Sequence, residues 1–201
     1  MTRTLVLAVV ALAASPFAAP AFAAGATELA LLGNAGTAEV FSCYERRYDE
    51  DHLQSHPHQN VRGVKLFFDS YVDKDSGERI NLMSLGWNFR KLKAEFQTYG
   101  ECATLDGAQS LGCGADCDGG HFDVTAAGGV ETLLLKVPDY VRIDDPTLAD
   151  SDDPSVLPKG AALGSDDKEF RLAKVDLKEC RSLMNGDQVT AIFGSKTASA
   201  R

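Results

Sequence analysis

The sequence predicts an all-β or β-dominated domain, an antiparallel small barrel or sandwich with one or two short helices and at least one disulfide. Short segments rich in β-forming residues follow one another across short turns, with little helical periodicity between them. Five cysteines follow an N-terminus typical of exported chains, in which disulfides form by default. The chain has 201 residues, 44% of them hydrophobic and 24% charged, which fits one globular domain and excludes global disorder and a coiled coil.

Residues 1–23 have the parts of a cleavable secretory signal peptide. A positively charged start precedes an uncharged run over residues 5–14 and the small-residue cleavage site Ala21-Phe22-Ala23. This apolar region is long enough for a transmembrane anchor, but it is mostly Ala and two prolines interrupt it. We therefore expect a periplasmic or secreted protein that begins at Ala24 and has no membrane span after cleavage.

The beginning of the mature chain predicts a flexible segment, a strand and a short helix. Residues 24–37 are rich in Ala and Gly, and we expect them to be flexible. The β-formers of residues 38–44 predict the first strand. A helix capped by Asp49 or Asp51 follows, and it ends before Pro57, which disfavours helical geometry in the residue that precedes it.

Alternation of apolar and polar residues predicts the other strands. In the second strand Val64, Leu66 and Phe68 share one face, and Phe67 on the opposite face indicates that both sides of the sheet are partly covered. Residues 73–77 are a turn that joins the second and third strands as a hairpin. These predicted strands span residues 61–72, 80–89, 92–102, 110–113, 121–125, 131–137 and 168–175. The aromatic residues expected in the core are Trp87, Phe89, Phe96 and Tyr99.

The last part of the chain combines an acidic segment with a short helix. Residues 144–167 contain seven aspartates and are expected to form an acidic surface loop. Asp176 can cap a short helix that reaches Cys180. The predicted domain is therefore residues 38–185, followed by a C-terminal tail of residues 186–201.

The odd number of cysteines leaves at least one thiol unpaired within the chain. If residues 106–109 form the loop of a hairpin, Cys102 opposes Cys113, which makes this the best local bridge. A two-residue turn would instead oppose position 102 with 111, and Cys102–Cys117 is the main competitor. A Cys43–Cys180 bridge would close a very long loop, worth about 4–5 kcal/mol of unfolded-state entropy.

Two other uses of the cysteines are less consistent with the sequence. Cys113 and Cys117 are spaced C-x3-C rather than C-x-x-C, and no βαβ pattern surrounds them, so redox catalysis is not expected. Together with Cys102 and His121 they offer the ligand types of a Cys3His zinc site. An oxidising compartment argues against the free thiolates that such a site needs.

Several local motifs resemble a group of uncharacterised exported bacterial proteins, over most of the mature chain. The resembling positions are Cys43 to Arg46, Tyr48, Asp49, His52, Leu53, His56, Pro57, Gln59, Cys113, Cys117 to Gly120 and Asp166 to Leu172. The resemblance implies an exported, periplasmic protein and no particular activity. The pattern of the group includes a further cysteine after the strand 133–137, where this chain has residues 138–143 without one. The absence of this further cysteine would explain why the chain has an odd number of cysteines.

Three of the four histidines lie within seven residues, at His52, His56 and His58. On a helix His52 and His56 are four residues apart on one face, a spacing at which two neutral imidazoles can bind Zn²⁺ or Cu²⁺. The alternative is a set of polar surface residues. The segment is not H-E-x-x-H, because Leu53 stands where the catalytic base would be.

We expect an exported, non-catalytic binding module of the bacterial envelope. Its partner would be a small molecule or an envelope protein, and an enzyme inhibitor is one form that such a module takes. The alternatives are a histidine-based transition-metal binding protein and a hydrolase of unknown class, although no nucleophile–base pattern stands out. The net charge of −9 argues against nucleic acid, which requires a clustered basic face. No cofactor is expected apart from Zn²⁺ or Cu²⁺ at the histidines.

Overall fold

The fold is a closed barrel of antiparallel strands. The computed structural model of the protein describes residues 25–33, 35–104, 109–115, 118–148 and 157–194. Within them each strand pairs with its neighbours in sequence, and the last strand pairs with the first to close the barrel. The strands are β1 (Val40–Arg47), β2 (Val61–Val72), β3 (Arg79–Phe89), β4 (Glu95–Thr104), β5 (Ser110–Ala115), β6 (His121–Ala126), β7 (Thr132–Lys136) and β8 (Glu169–Val175). The predicted fold class is confirmed, in its barrel form.

Three short α-helices and one 3-10 helix accompany the strands in the described residues. They are α1 (Ala26–Leu32), α2 (Glu50–Ser55), the 3-10 helix Leu177–Leu183 and α3 (Gly186–Phe193). The Asp49 side chain caps α2 by accepting from the His52 N–H, and Asp176 caps the 3-10 helix, as the sequence predicts. Among the described residues no helix combines the length and the apolar character needed to cross a membrane.

The interior of the barrel is packed with large side chains that alternate along every strand. On β2 the residues Val64, Leu66 and Phe68 are fully buried and belong to the main apolar core. The Trp87 indole lies in the same core, edge-on to Phe170, and donates to Thr98 Oγ1 at 2.9 Å. Satisfying its N–H in this way removes most of the cost of burying the indole.

Both expected disulfides are present. Cys43 on β1 is bonded to Cys180 in the 3-10 helix, across a sequence separation of 137 residues. Cys102 on β4 is bonded to Cys113, its direct cross-strand neighbour on β5. The register that the sequence predicts for this hairpin is therefore the observed one. The bridge fixes the two strands from inside the barrel, where both cysteines are buried.

The N-terminal segment differs from the flexible one that its composition suggests. Residues 26–32 form α1, and Thr27 and Leu31 are buried at one end of the barrel. The Glu28 carboxylate accepts from Asn81 Nδ2 at 3.1 Å and from Thr104 Oγ1 at 2.6 Å. An Ala-rich composition is compatible with helix as well as with loose chain. A helix this short depends on tertiary contacts, which sequence composition does not reveal.

The C-terminal region also differs from a tail that starts at residue 186. The 3-10 helix and α3 lie on the outer face of β1, β2 and β3, around the Cys43–Cys180 bridge. Phe67, which points out of the barrel, is 1% exposed because Leu183 and its neighbours cover it. The double-sided burial that Phe67 predicts is thus produced by the C-terminal segment, which belongs to the domain at least as far as residue 194.

Asp167, one of the described aspartates of the expected acidic surface loop, is buried. Asp167 has no exposed surface, and its carboxylate accepts from the backbone N–H groups of Asn60, Val61 and Gly164 at 2.7, 3.1 and 2.8 Å. It ties the segment before β8 to the start of β2. Gly164 is required here, since an added Cβ would lie 1.9 Å from the His58 carbonyl oxygen.

Several expectations fall outside the described residues. These are the signal peptide of residues 1–23 with its cleavage before Ala24, residues 106–108 of the expected hairpin loop 106–109, the odd Cys117, residues 149–156 of the acidic loop and the last residues from 195 onward.

Candidate functional site

A groove of about 390 Å³ lies on the outside of the barrel, between the sheet and the C-terminal segment. Its floor is formed by side chains that β2, β3 and β4 direct away from the core. Its wall is formed by the end of the 3-10 helix and the beginning of α3. The main floor residues are Asp69, Leu82, Ser84, Tyr99 and Glu101, and the main wall residues are Ser182, Leu183, Met184, Asn185 and Gln188.

Strand register brings the floor residues together. Asp69 on β2 is directly opposite Leu82 on β3, and Leu82 is directly opposite Glu101 on β4. Directly paired residues project to the same side of a sheet. The two carboxyl side chains therefore belong to one cross-strand row, with an apolar side chain between them. The next row contains Ser84 and Tyr99.

A disulfide, a helix capping box and a side-chain hydrogen bond hold the wall of the groove in place. The Cys43–Cys180 bridge fixes the 3-10 helix to β1. Asn185 and Gln188 form a reciprocal capping box at the start of α3, as expected for an amide three residues after an Asn cap. At the other end of the groove, Gln97 Nε2 donates to the Ser182 carbonyl at 2.9 Å.

Asp69 is a buried carboxylate in the lining of this groove. It is 4% exposed, and its Oδ2 accepts from Gln188 Nε2 at 2.6 Å. Its Oδ1 is buried and has no hydrogen-bond partner among the described residues. Burial raises the pKa of Asp69 above its ordinary value, although the bond from Gln188 opposes this. The pKa of Glu39 is also raised, by its own partial burial and by the nearby charge of Asp69.

Tyr99 lies in the groove rather than in the core where its aromatic character placed it. Its side chain is 44% exposed, and its hydroxyl donates to Gln97 Oε1. It projects outward because it alternates with Phe96, Thr98 and Gly100, which face the barrel interior. Partial burial and the charges of Asp144 and Glu95 raise the pKa of Tyr99. The phenol therefore stays protonated and available as a polar contact at neutral pH.

The structure brings two of the three predicted metal ligands together, in a stack. His52 and His56 have parallel rings with centroids 4.1 Å apart, and Tyr48 stacks on the other side of His52 at 4.5 Å. The Arg46 guanidinium lies 4.9 Å from the centre of the Tyr48 ring. The cluster is a ladder of four planar groups at the end of β1 and along α2.

This stacked geometry does not point the two imidazoles at a shared metal ion. His52 Nε2 lies 3.0 Å from Gln59 Oε1, and His56 Nδ1 lies 2.8 Å from the His52 carbonyl oxygen. Both partners are acceptors, so each of these ring nitrogens carries a proton. The remaining lone pair of each ring lies in its own plane, and near-parallel planes do not make such lone pairs converge. Among the described residues no group of three or more His, Cys, Asp or Glu side chains is arranged to hold a metal. His58 therefore does not complete a metal site with His52 and His56.

Sequence reasoning did not single out Asp69, Glu101 or Gln188. One signal was available, because the pattern of β2 places an aspartate on the same outward face as Phe67, which is a face expected to be covered. A charged residue under such a cover is either paired or functional. Which chain segment supplies the cover depends on the long-range Cys43–Cys180 contact.

Comparisons with models of protein families, with curated proteins and with solved structures found no match to this chain.

Proposed function

We propose that the protein is an exported, non-catalytic binding module that recognises its ligand in the groove between β2–β4 and the C-terminal segment. The N-terminal signal motif and the two disulfides support export to an oxidising compartment. The resemblance to exported bacterial proteins agrees with a periplasmic location. The partner would be a small molecule or a side chain of an envelope protein.

The observation that carries this proposal is the buried Asp69 carboxylate, one oxygen of which has no hydrogen-bond partner among the described residues. A charged group in such a place destabilises the fold unless it is paired. Groups of this kind are candidates for functional sites, where the charge or its unused hydrogen-bonding capacity serves binding or catalysis. The packed interior of the barrel supports a site on its outer surface, since large side chains from all eight strands occupy the inside.

The groove also has the composition of a ligand site. It combines apolar side chains, such as Leu82 and Met184, with a few polar groups from different chain segments. Small-molecule sites are typically concave, about 300–1,000 Å³ in volume, and lined in this mixed manner. At about 390 Å³ the groove suits a small ligand or one side chain of a larger partner.

The proposal can be tested by mapping a panel of small cationic, neutral and anionic compounds with backbone amide NMR. We expect at least one class to shift amide resonances in residues 82–84, 99–101 and 183–188. A Ser84→Phe variant, which fills the groove from the floor, should abolish these shifts and leave distant barrel resonances unchanged. Shifts confined to other surfaces, or their persistence in the variant, would contradict the groove as the site.

A further inference from the structure

We infer that the groove binds a primary alkylammonium group, as found at the end of a lysine side chain or of a free alkylamine. The inference rests on the proposed function and assigns a ligand chemistry to the same groove.

The charged side chains that line the groove are acidic. Asp69 and Glu101 are in one cross-strand row, and the charge of Asp69 is felt by Glu39 at the same edge of the barrel. None of the described residues that line the groove is Lys, Arg or His. Glu101 is exposed and forms no ion pair with any described residue. A ligand cation would therefore be attracted by two lining carboxylates without meeting a cationic side chain among these residues.

The number and arrangement of acceptor atoms in the groove favour an ammonium group over a guanidinium group. Gln188 already donates to one oxygen of Asp69, which leaves the other oxygen as a single acceptor below the groove surface. A guanidinium group is best matched by two parallel oxygens of one carboxylate. An ammonium group is a compact charge with three donors in different directions, and it can be satisfied by separate acceptors. Asp69, Glu101 and the Ser84 hydroxyl are such acceptors in the groove lining.

The groove also has an apolar part, which suits the methylene chain of an alkylammonium. Leu82 stands between the two carboxyl groups, and Leu183 and Met184 lie on the wall beside them. An alkylammonium carries its charge at the end of a methylene chain, which gains by contact with apolar side chains while the head group stays with the carboxylates. An inorganic cation has no methylene chain and would make no such apolar contact.

Access to Oδ1 of Asp69, which is buried, requires local movement of the groove wall. Gln188 is partly exposed and donates to Oδ2, so its side chain can shift while it keeps that bond. The ammonium then donates to Oδ1, which has no hydrogen-bond partner among the described residues. A charged donor thus meets an acceptor that lacks a donor, and charge-assisted hydrogen bonds are roughly twice as strong as neutral ones.

The test is an amide NMR titration of the folded, disulfide-bonded protein at neutral pH with n-butylammonium, 1-butanol and butyrate. We expect only n-butylammonium to give saturable shifts at Leu82, Gly100, Asn185 and Gln188. Asp69→Asn should weaken this binding by about tenfold or more. Asp139→Asn, which removes one exposed charge outside the groove, should leave it unchanged.

Several results would overturn the inference. Equal affinity for 1-butanol, or unchanged binding of n-butylammonium in Asp69→Asn, contradicts the ammonium assignment. Groove shifts caused by butanol or butyrate but not by n-butylammonium would leave the groove as a site and refute only its ligand chemistry. If none of the three compounds shifts groove amides, both the ammonium assignment and the proposed function are refuted. Should Asp69→Asn not fold, Glu101→Gln on the exposed rim provides the test, with an expected weakening of about two- to fivefold.

A lysine-containing peptide distinguishes the two sources of an alkylammonium group, which are a lysine side chain of a protein and a free alkylamine. The probe is acetyl-Gly-Lys-Gly-amide, with its Nε-acetylated form as the control that lacks the charge. Tighter binding of the peptide than of n-butylammonium assigns the groove to a lysine of a protein partner, and weaker binding assigns it to a free amine. Equal binding of the acetylated peptide would refute the ammonium assignment for either source.

Discussion

Asp69 and Asp167 show how differently one fold treats two buried aspartates. Asp167 receives three backbone N–H bonds at one end of the barrel, whereas Asp69 receives one bond from the amide of Gln188. Burial raises the pKa of Asp167 as it does that of Asp69, and the backbone donors oppose this shift. These donors come from three places in the chain, so the Asp167 carboxylate holds those segments together. Asp167 therefore has a structural role, whereas the proposed function gives Asp69 a role in recognition.

We expect Asp69→Asn to stabilise the protein at neutral pH. Burial raises the pKa of Asp69 in the folded state above its unfolded value of about 3.9, so the folded protein holds this proton more tightly. Wild-type stability is therefore fully retained below the unfolded pKa and falls as pH rises through the raised folded pKa. An asparagine cannot ionise, and its oxygen can still accept from Gln188. Urea unfolding at about pH 7 should show the variant more stable than wild type, and at about pH 3 the difference should disappear.

The control for this comparison is Asp139→Asn, which removes a charge from an exposed position. It should change stability by less than about 0.5 kcal/mol at either pH. If Asp69→Asn is less stable than wild type at neutral pH, the Asp69 carboxylate is a net stabilising group and the assignment to recognition loses its basis.

Asp167→Ala is expected to lower the free energy of unfolding by at least about 3 kcal/mol. The substitution leaves the N–H groups of Asn60, Val61 and Gly164 without their acceptor in a fully buried place. Its neighbour Asp166 is exposed, and Asp166→Ala provides the matched control with an expected change within about 0.5 kcal/mol. Similar losses in both variants, measured by denaturant unfolding, would show that Asp167 does not anchor β2.

At the scale of elements, the strands were predictable from the sequence because alternation is a local signal. The predicted limits of β2 coincide with the observed ones, and the alternation of Val64, Leu66 and Phe68 gave their inward direction. The observed register of Cys102 and Cys113 is the one predicted for a hairpin loop at residues 106–109, rather than the one that a two-residue turn would give. These features depend on residues close in sequence, so one sequence suffices to obtain them.

Helices α1 and α3, which the composition of their segments did not predict, depend on contacts between residues that are far apart in sequence. Helix α1 is held by hydrogen bonds from Thr104 and Asn81 to Glu28, more than fifty residues away in sequence. Helix α3 reaches β2 through Gln188 and Asp69, at a separation of 119 residues. The groove lies at this junction, and for that reason its residues could not be assembled from local patterns. The histidines were correctly placed near one another, but ring orientation depends on Tyr48 and Gln59 as well as on the spacing.

The Cys43–Cys180 bridge should be the more stabilising of the two disulfides and the one required by the groove. The bridge closes a loop of 137 residues, worth about 5 kcal/mol in the chain-entropy model, against about 3 kcal/mol for the local bridge. We expect Cys43→Ser/Cys180→Ser to unfold at lower denaturant than Cys102→Ser/Cys113→Ser. Amide shifts of residues 182–188 should also move in the first variant. The opposite order of stability, or an unchanged C-terminal segment, would contradict this account of the groove wall.

In the whole molecule, large side chains fill the inside of the barrel, and the proposed binding groove lies on its outer face. The proposed export depends on the first residues of the chain. We expect the mature protein to begin at Ala24, because Ala21-Phe22-Ala23 supplies the small residues that a signal peptidase requires. N-terminal sequencing of protein isolated from the producing cell is the measurement, and an intact Met1 on protein from the cell envelope would contradict it.

The titration of Asp69 itself measures whether this buried carboxylate receives a cation. The carboxyl carbon resonance of Asp69 can be followed by 13C NMR from about pH 2 to pH 9, with and without n-butylammonium. We predict a pKa above the ordinary aspartate value in the free protein, and a lower pKa with n-butylammonium, since a bound cation favours the charged carboxylate. The charge of Asp69 acts on Glu39, and Glu101 and Tyr99 line the same groove, so the resonances of these three residues are followed in the same spectra. An ordinary pKa in the free protein that n-butylammonium does not change would contradict the claim.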